Sequence, residues 1–259
     1  MSRDAWLTAG IVLCLAALAA WALLLPRAQL DDALARASAE GVLRVGYANE
    51  APFAYLDPAS GVITGEAVEV ARAVATRLGI PRIEGVLCEF GALIPGLQAR
   101  RFDVIAAGMY ITPARAAQVA FSDPTYVVGE GFLVRKGNPH GLHGYADVVA
   151  KEGVRLGVVA GTVEHGHARV LGVPDARIVV FPDNAGGVAG VIAGRADALA
   201  LTSLTVRDLL ARGADRELER ADPFADPVID GRPARGYGAF AMRTSDTALR
   251  DAFNRELRA

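Results

Sequence analysis

Apolar positions along this chain follow two alternating patterns. Stretches with hydrophobic residues every three or four positions are separated by short, continuous apolar runs. The first spacing puts apolar side chains on one face of a helix, and the second suits strands buried on both faces. Residues 30–40 read as a helix, with Asp31 and Asp32 in its first turn and Gly41 as its stop. Residues 42–48 read as a strand. The helix expected over 66–78 places Ala67, Val70, Ala71, Val74 and Leu78 on one face. Residues 83–88 and 104–107 read as buried strands. After Tyr126 the pattern restarts, with strands at 132–134, 156–159, 179–180 and 198–201 and helices at 162–171, 185–193 and 204–212. A last helix is expected over 247–257. The alternation predicts an α/β fold with mostly parallel sheets.

Residues 5–25 break this rhythm. They contain no charge, follow Arg3 and Asp4, and end at Pro26-Arg27. Such a run is long enough to span a bilayer and reads as a secretory leader or a retained anchor over residues 1–28. Ala17-Leu18-Ala19 and Ala28 offer cleavage points, and Cys14 reads as an ordinary apolar residue. Either way, the body of the chain is expected outside the cytoplasmic membrane. The 259 residues allow two modest lobes. Lys and Arg number 27 against 29 Asp and Glu, with no basic stripe, so nucleic acid is not an expected partner. Cys88, the single thiol of the exported part, reads as a buried strand residue. His140, His143, His165 and His167 have no metal-ligand spacing and read as solvated loop and helix histidines. No cofactor is implied.

The stretch 106–126, AAGMYITPARAAQVAFSDPTY, carries the candidate chemistry. Small residues and Gly108 suit a strand end that something approaches closely. Thr112-Pro113 reads as a helix start, with Thr as cap and Pro at the first position. Arg115 then sits in a first turn, where a helix disfavours cations. A ligand carboxylate held by two parallel hydrogen bonds would account for it, as would a neighbouring surface acid. Ala160-Gly161-Thr162 opens another helix, whose free N–H groups suit an anion.

The segment GMYITPARAAQVAFSDPTY resembles the G-M-x-I-T-x-x-R-x-x-x-V-x-F-S-x-P-Y stretch of the family 3 extracellular solute-binding proteins, receptors of ABC importers for polar amino acids and related molecules. The resemblance covers nearly everything after the leader. It implies a two-lobed periplasmic-binding-protein (type II) clamshell with two hinge strands. The first lobe would comprise residues 29–127 and a return segment, 239–259, that is short for the family. Residues 128–238 would hold the hinge strands and the second lobe. It also implies a monomer that docks on an ABC permease.

Two positions depart from the amino-acid receptors, which commonly carry Ser or Thr at Tyr110 and Asp at Thr202. That Asp pairs with the ligand ammonium. Without it, a buried ammonium would lack its counter-charge, so an aromatic cage of Phe53, Phe90 and Tyr110, and not an acid of the second lobe, is expected to hold the ligand cation. YANEAPFAY, EFGALIPGLQARRFDVIAAGMYITPAR and DPVIDGRPARGYGAF resemble the ectoine/hydroxyectoine-binding subgroup. This resemblance implies Glu50, Phe53, Phe90, Tyr110 and Arg115 as ligand contacts, with Gly161, Thr162 and Asp183 as candidates in the second lobe. Other compact zwitterions, such as proline or a betaine, remain alternatives. So do a periplasmic dehydratase on the same fold and an anchored sensor domain.

Overall fold

The computed structural model describes residues 32–259. The apolar run 5–25, with Cys14 and the proposed cleavage points, lies outside the described residues, as do the first two residues of the helix expected at 30–40. Among the described residues, no helix is long and apolar enough to cross a membrane.

The first helix, α1 (Ala33–Glu40), begins where Asp32 accepts hydrogen bonds from the Leu34 and Ala35 amides at 2.9 and 3.3 Å. It ends at Gly41, whose φ of 66° needs no Cβ. There follow β1 (Val42–Tyr47), β2 (Tyr55–Leu56), β3 (Ile63–Thr64), α2 (Glu66–Arg77), β4 (Arg82–Leu87), α3 (Leu93–Gln98), β5 (Val104–Ile105), α4 (Pro113–Ala116) and β6 (Ala120–Phe121). Then β7 (Tyr126–Val128) crosses to a second lobe of β8 (Glu130–Arg135), α5 (Tyr145–Ala150), β9 (Leu156–Val159), α6 (Val163–Val170), β10 (Ile178–Phe181), α7 (Asn184–Ile192), β11 (Ala198–Thr202), α8 (Ser203–Ala211) and β12 (Leu218–Arg220). After the small hairpin β13 (Val228–Ile229) and β14 (Arg232–Pro233), β15 (Gly236–Gly238) leads back to β16 (Ala241–Met242) and α9 (Thr247–Leu257).

Each lobe holds a five-stranded sheet, in the orders β4-β1-β5-β16-β6 and β10-β9-β11-β8-β12. The expectation of mostly parallel sheets holds for strand direction: four strands of each sheet point the same way, and a single reversed strand, β16 between β5 and β6 and β8 between β11 and β12, makes the antiparallel pairs. The strands that follow the two crossings enter each sheet from the opposite direction. The crossing strands themselves form a ribbon, with Gly236 opposite Val128 and Gly238 opposite Tyr126.

Separate cores hold the lobes. Leu43, Val45, Ala71, Val74, Phe240, Leu249 and Phe253 close together in the first. Phe132, Val134, Val148, Leu156, Val158 and Ala198 do so in the second. Burying each large side chain contributes about 1.5–3 kcal/mol. The return segment joins the first core, where the Phe253 ring of α9 meets Phe240 edge-on at 5.2 Å. One sequence expectation fails here. β4 is an edge strand, paired only with β1, so Leu87 is 58 % exposed and Cys88 is half-buried.

Candidate ligand-binding site

The loop after β1 folds back on itself, with the Glu50 amide bonded to the Ala54 carbonyl at 2.7 Å. That turn brings the Glu50 carboxyl into the cleft between the lobes. From the second lobe, the Thr205 hydroxyl donates to Glu50 Oε1 at 3.0 Å. Thr205 is in turn held by Thr202, the N-cap of α8, through hydroxyl and amide bonds of 2.9 and 3.1 Å. Asn184 also bonds Glu50. Burial nonetheless pushes the Glu50 carboxyl above its usual range. Thr202 therefore carries no charge for a ligand, but it orients the hydroxyl that ties Glu50 across the cleft.

Arg115 lies in α4, whose start is as expected: the Thr112 side chain accepts from the Arg115 amide, with Pro113 at the first position. Arg115 is 9 % exposed. Its Nη1 donates to the Tyr110 carbonyl and its Nη2 to the Gly161 carbonyl, both at 2.9 Å. It also stands 5.4 Å from the centre of the Phe90 ring. Among the described residues no acidic side chain forms an ion pair with it. Burial lowers its pKa, and the nearby Glu164 partly offsets this. The Gly161 contact crosses the cleft, as does that between Gly161 and Gly91. Gly161 has a φ of +79°, and a Cβ there would stand 2.7 Å from the Gly91 Cα. Only glycine lets the lobes meet this closely.

A narrow cavity lies between these groups. It is lined by Glu50, Phe90, Gly108, Tyr110, Arg115, Thr162, Val163, Glu164, Leu201 and Thr202. Tyr110 is buried, and its hydroxyl has no hydrogen-bond partner among the described residues. Burial and the surrounding carboxyls push its ionisation far up, so it is a neutral donor here. A neighbouring, wider space shares Glu50 and Phe90 and adds Cys88, Glu89, Asp183 and Asn184.

The structure thus brings Glu50, Phe90, Tyr110, Arg115 and Thr162 to one cavity and puts three other expected residues elsewhere. Phe53 is 2 % exposed and stacks on Tyr126 at 5.0 Å. It lies behind Gly108, where a Cβ would come within 2.7 Å of its ring, so it does not line the cavity. Asp183 is exposed and caps α7, accepting from the Gly186 amide at 2.7 Å. Gly161 contributes its carbonyl to Arg115 and lies outside the cavity lining.

The sequence reading missed Glu164. An acid of the second lobe lines the cavity beside Phe90 and Tyr110, against the expectation that the aromatic cage, and no acid of that lobe, faces the ligand cation. Glu164 sits in the first turn of α6, where acids are common, so nothing in its local pattern marked it out. It is 4 % exposed, and its Oε1 has no hydrogen-bond partner among the described residues. The reading of His167 as solvated is also overturned. Its Nδ1 lies 2.5 Å from Oε1 of the buried Glu130, which also accepts from the Tyr145 hydroxyl. Glu130 comes from β8 and turns its carboxylate toward α6, so a histidine one turn along that helix meets it.

Comparison with known proteins agrees with this architecture. A probable amino-acid ABC transporter periplasmic-binding protein of Sinorhizobium fredii is 44 % identical over 234 residues, 89 % of this chain and 76 % of the relative. The crystal structure of EhuB in complex with hydroxyectoine is 36 % identical, with a TM-score of 0.79 over 87 % of this chain and 85 % of that one. The ancestral amino acid-binding protein AncCDT-1, a precursor of cyclohexadienyl dehydratase, is 30 % identical, with a TM-score of 0.75 over 87 % and 92 % of the two chains. Residues 43–259 match the bacterial extracellular solute-binding proteins, family 3, and the chain belongs to that family.

Proposed function

We propose that this protein is the extracytoplasmic receptor of an ABC importer and that it closes around a compact zwitterion, with ectoine or hydroxyectoine as the first candidates. One observation carries the proposal: a single cavity between the lobes is lined by a buried guanidinium and by two carboxyls. Arg115, whose hydrogen bonds go only to backbone carbonyls, suits a ligand carboxylate. Glu50 and Glu164 suit a cation, and the Phe90 and Tyr110 rings add apolar walls with negative faces. The resemblance to EhuB, solved with hydroxyectoine, supports a cyclic amidinium carboxylate.

In this reading the paired crossing strands β7 and β15 are the hinge, residues 1–28 export or anchor the protein, and a monomer delivers ligand to a permease. Members of the family are extracellular or periplasmic solute-binding proteins. The site is one for binding and not for turnover: Glu50 is tied to Thr205 and Asn184 and does not stand free as a base.

Glu164 favours a second reading. An acid of the second lobe suits the localised ammonium of an α-amino acid, and the Sinorhizobium relative is named an amino-acid binder. Titration calorimetry with ectoine, hydroxyectoine, arginine, glutamine, proline and glycine betaine separates the two. Tight binding of ectoine or hydroxyectoine, recovered chemically unchanged, is expected. Tight binding of an α-amino acid with no heat from either ectoine would replace the first reading with the second.

A further inference from the structure

Glu50 and Glu164 reach the cavity from opposite lobes, one from the loop after β1 and the other from the first turn of α6. Each element packed around Glu164 adds a polar or charged group. β8 brings Glu130, whose carboxylate is already shared by Tyr145 of α5 and His167 of α6. The loop after β1 brings Glu50, and α4 brings Arg115. Tyr110 and Tyr126 stand near enough for the Glu164 charge to raise the ionisation of both hydroxyls. Arg115 is committed to two backbone carbonyls, and His167 to Glu130. Two carboxylates and a third behind them in one desolvated space repel each other. Burial, then Glu130 and then Glu50 push the Glu164 carboxyl up to about 8, against the pull of its own backbone amide and the Thr162 hydroxyl.

We propose that Glu50 and Glu164 are two halves of one cation site divided between the lobes, so that closure requires either a ligand cation with N–H groups on two sides or a proton. This rests on the zwitterion reading and narrows its ligand class. An amidinium or a primary ammonium can donate to both carboxylates, whereas a quaternary ammonium has no N–H to give. When the cation is present, both carboxyls stay ionised and the lobes close on it. When it is absent, closing buries Glu164 against Glu50, and Glu164 takes a proton from solvent. The empty closed form therefore holds one proton more than the open form. Its stability is present at low pH and is lost as pH rises through the raised value of the closed state.

Small-angle scattering of the ligand-free protein tests this without any ligand. The radius of gyration of the parent should shrink as pH falls from about 8.5 to about 5.5, across the interval in which a raised carboxyl titrates. Glu164→Gln, neutral at every pH, should be compact throughout. Glu164→Leu should match it, which separates charge from hydrogen bonding. Equal, pH-independent radii for the parent and both variants would overturn the proposal. Calorimetry adds the ligand arm. Glu164→Gln should weaken ectoine binding about tenfold or more, as expected when one partner of a buried charge pair is lost. The parent should bind glycine betaine far more weakly than ectoine. A Glu164→Gln variant that binds ectoine like the parent would overturn Glu164 as a cation contact and leave the zwitterion reading standing. If the parent binds no zwitterion at all, that reading falls, and the ligand-free scattering still decides the proton-linked closure.

Discussion

Asp103 in the first lobe and Asp197 in the second stand at equivalent places. Each precedes a central strand, and each carboxylate accepts a backbone amide from the neighbouring strand, Arg44 at 3.0 Å and Arg155 at 2.9 Å. Each is ringed by cations. Asp103 pairs with Arg36 and lies near Arg44 and Arg243, and Asp197 pairs with Arg135, Arg155 and His140. Both aspartates are almost fully buried, and every one of their charges has a partner. The cleft is different. Arg115 and Glu164 are also buried, yet among the described residues the first reaches only carbonyls and the second leaves an oxygen unpartnered. The same two lobes thus hold buried charges of two kinds. Paired ones fasten a sheet, and incompletely paired ones face a cavity, where a ligand can complete them.

The largest expected effect tests the fastening side of this contrast. Asp103→Ala should lower stability by about 3–5 kcal/mol, because it takes the carboxylate away from Arg36 and the buried Arg243 and leaves the Arg44 amide without its acceptor. Urea unfolding measures it. Asp197→Ala should cost less, since Arg135 and Arg155 are partly in water. Equal losses would show that the two lobes fasten alike despite that exposure. The folded fraction of either variant should keep the parent's ligand affinity.

Arg115→Ala comes next and should reverse that pattern. It should cost about 2–5 kcal/mol of ligand binding by calorimetry with little loss of stability. Arg115→Lys should also bind weakly, because the fork geometry is gone. Parent-like binding by the alanine variant would place Arg115 with the fasteners.

The aromatic residues sharpen the contrast on a smaller scale. Phe90→Leu and Tyr110→Leu keep apolar area but remove the ring face, and each should weaken binding by about 0.5–2 kcal/mol. Phe53→Leu should instead lower the melting temperature and move affinity less, because Phe53 packs on Tyr126 behind Gly108. If the three behave alike in calorimetry, the cage extends deeper than the cavity lining indicates.

The smallest expected effect concerns a contact between the lobes outside the cavity. The Arg212 guanidinium of the second lobe sits 4.4 Å above the Tyr55 ring of the first. Arg212→Ala should weaken ligand binding by only about 0.5–1 kcal/mol, the range for an exposed cation–π contact. A larger loss would mean that closure depends on this rim pair as much as on the cleft.

Helices and strands were legible because each is specified within a few residues. Thr112-Pro113 starts α4, Gly41 ends α1, and 247–257 is helical as the spacing of Leu249, Ala252 and Phe253 requires. The motif around Arg115 was long enough to indicate the family and, with it, the two-lobed fold. Strand direction was not legible: the run 132–134 within β8 reads as an ordinary strand until its sheet partners are known, and the two-residue β16 gave no strand signal. Glu164 looked like any acid in a first helical turn, and Phe53 looked like any cleft-loop aromatic. What separates them is the approach of one lobe to the other, which puts Glu50 on Thr205, 155 residues away, and Gly161 on Gly91. Local periodicity follows from burial against the nearest sheet and can be read along the chain. The pairing of a buried charge depends on which distant surface closes over it, and only the folded arrangement of both lobes decides that.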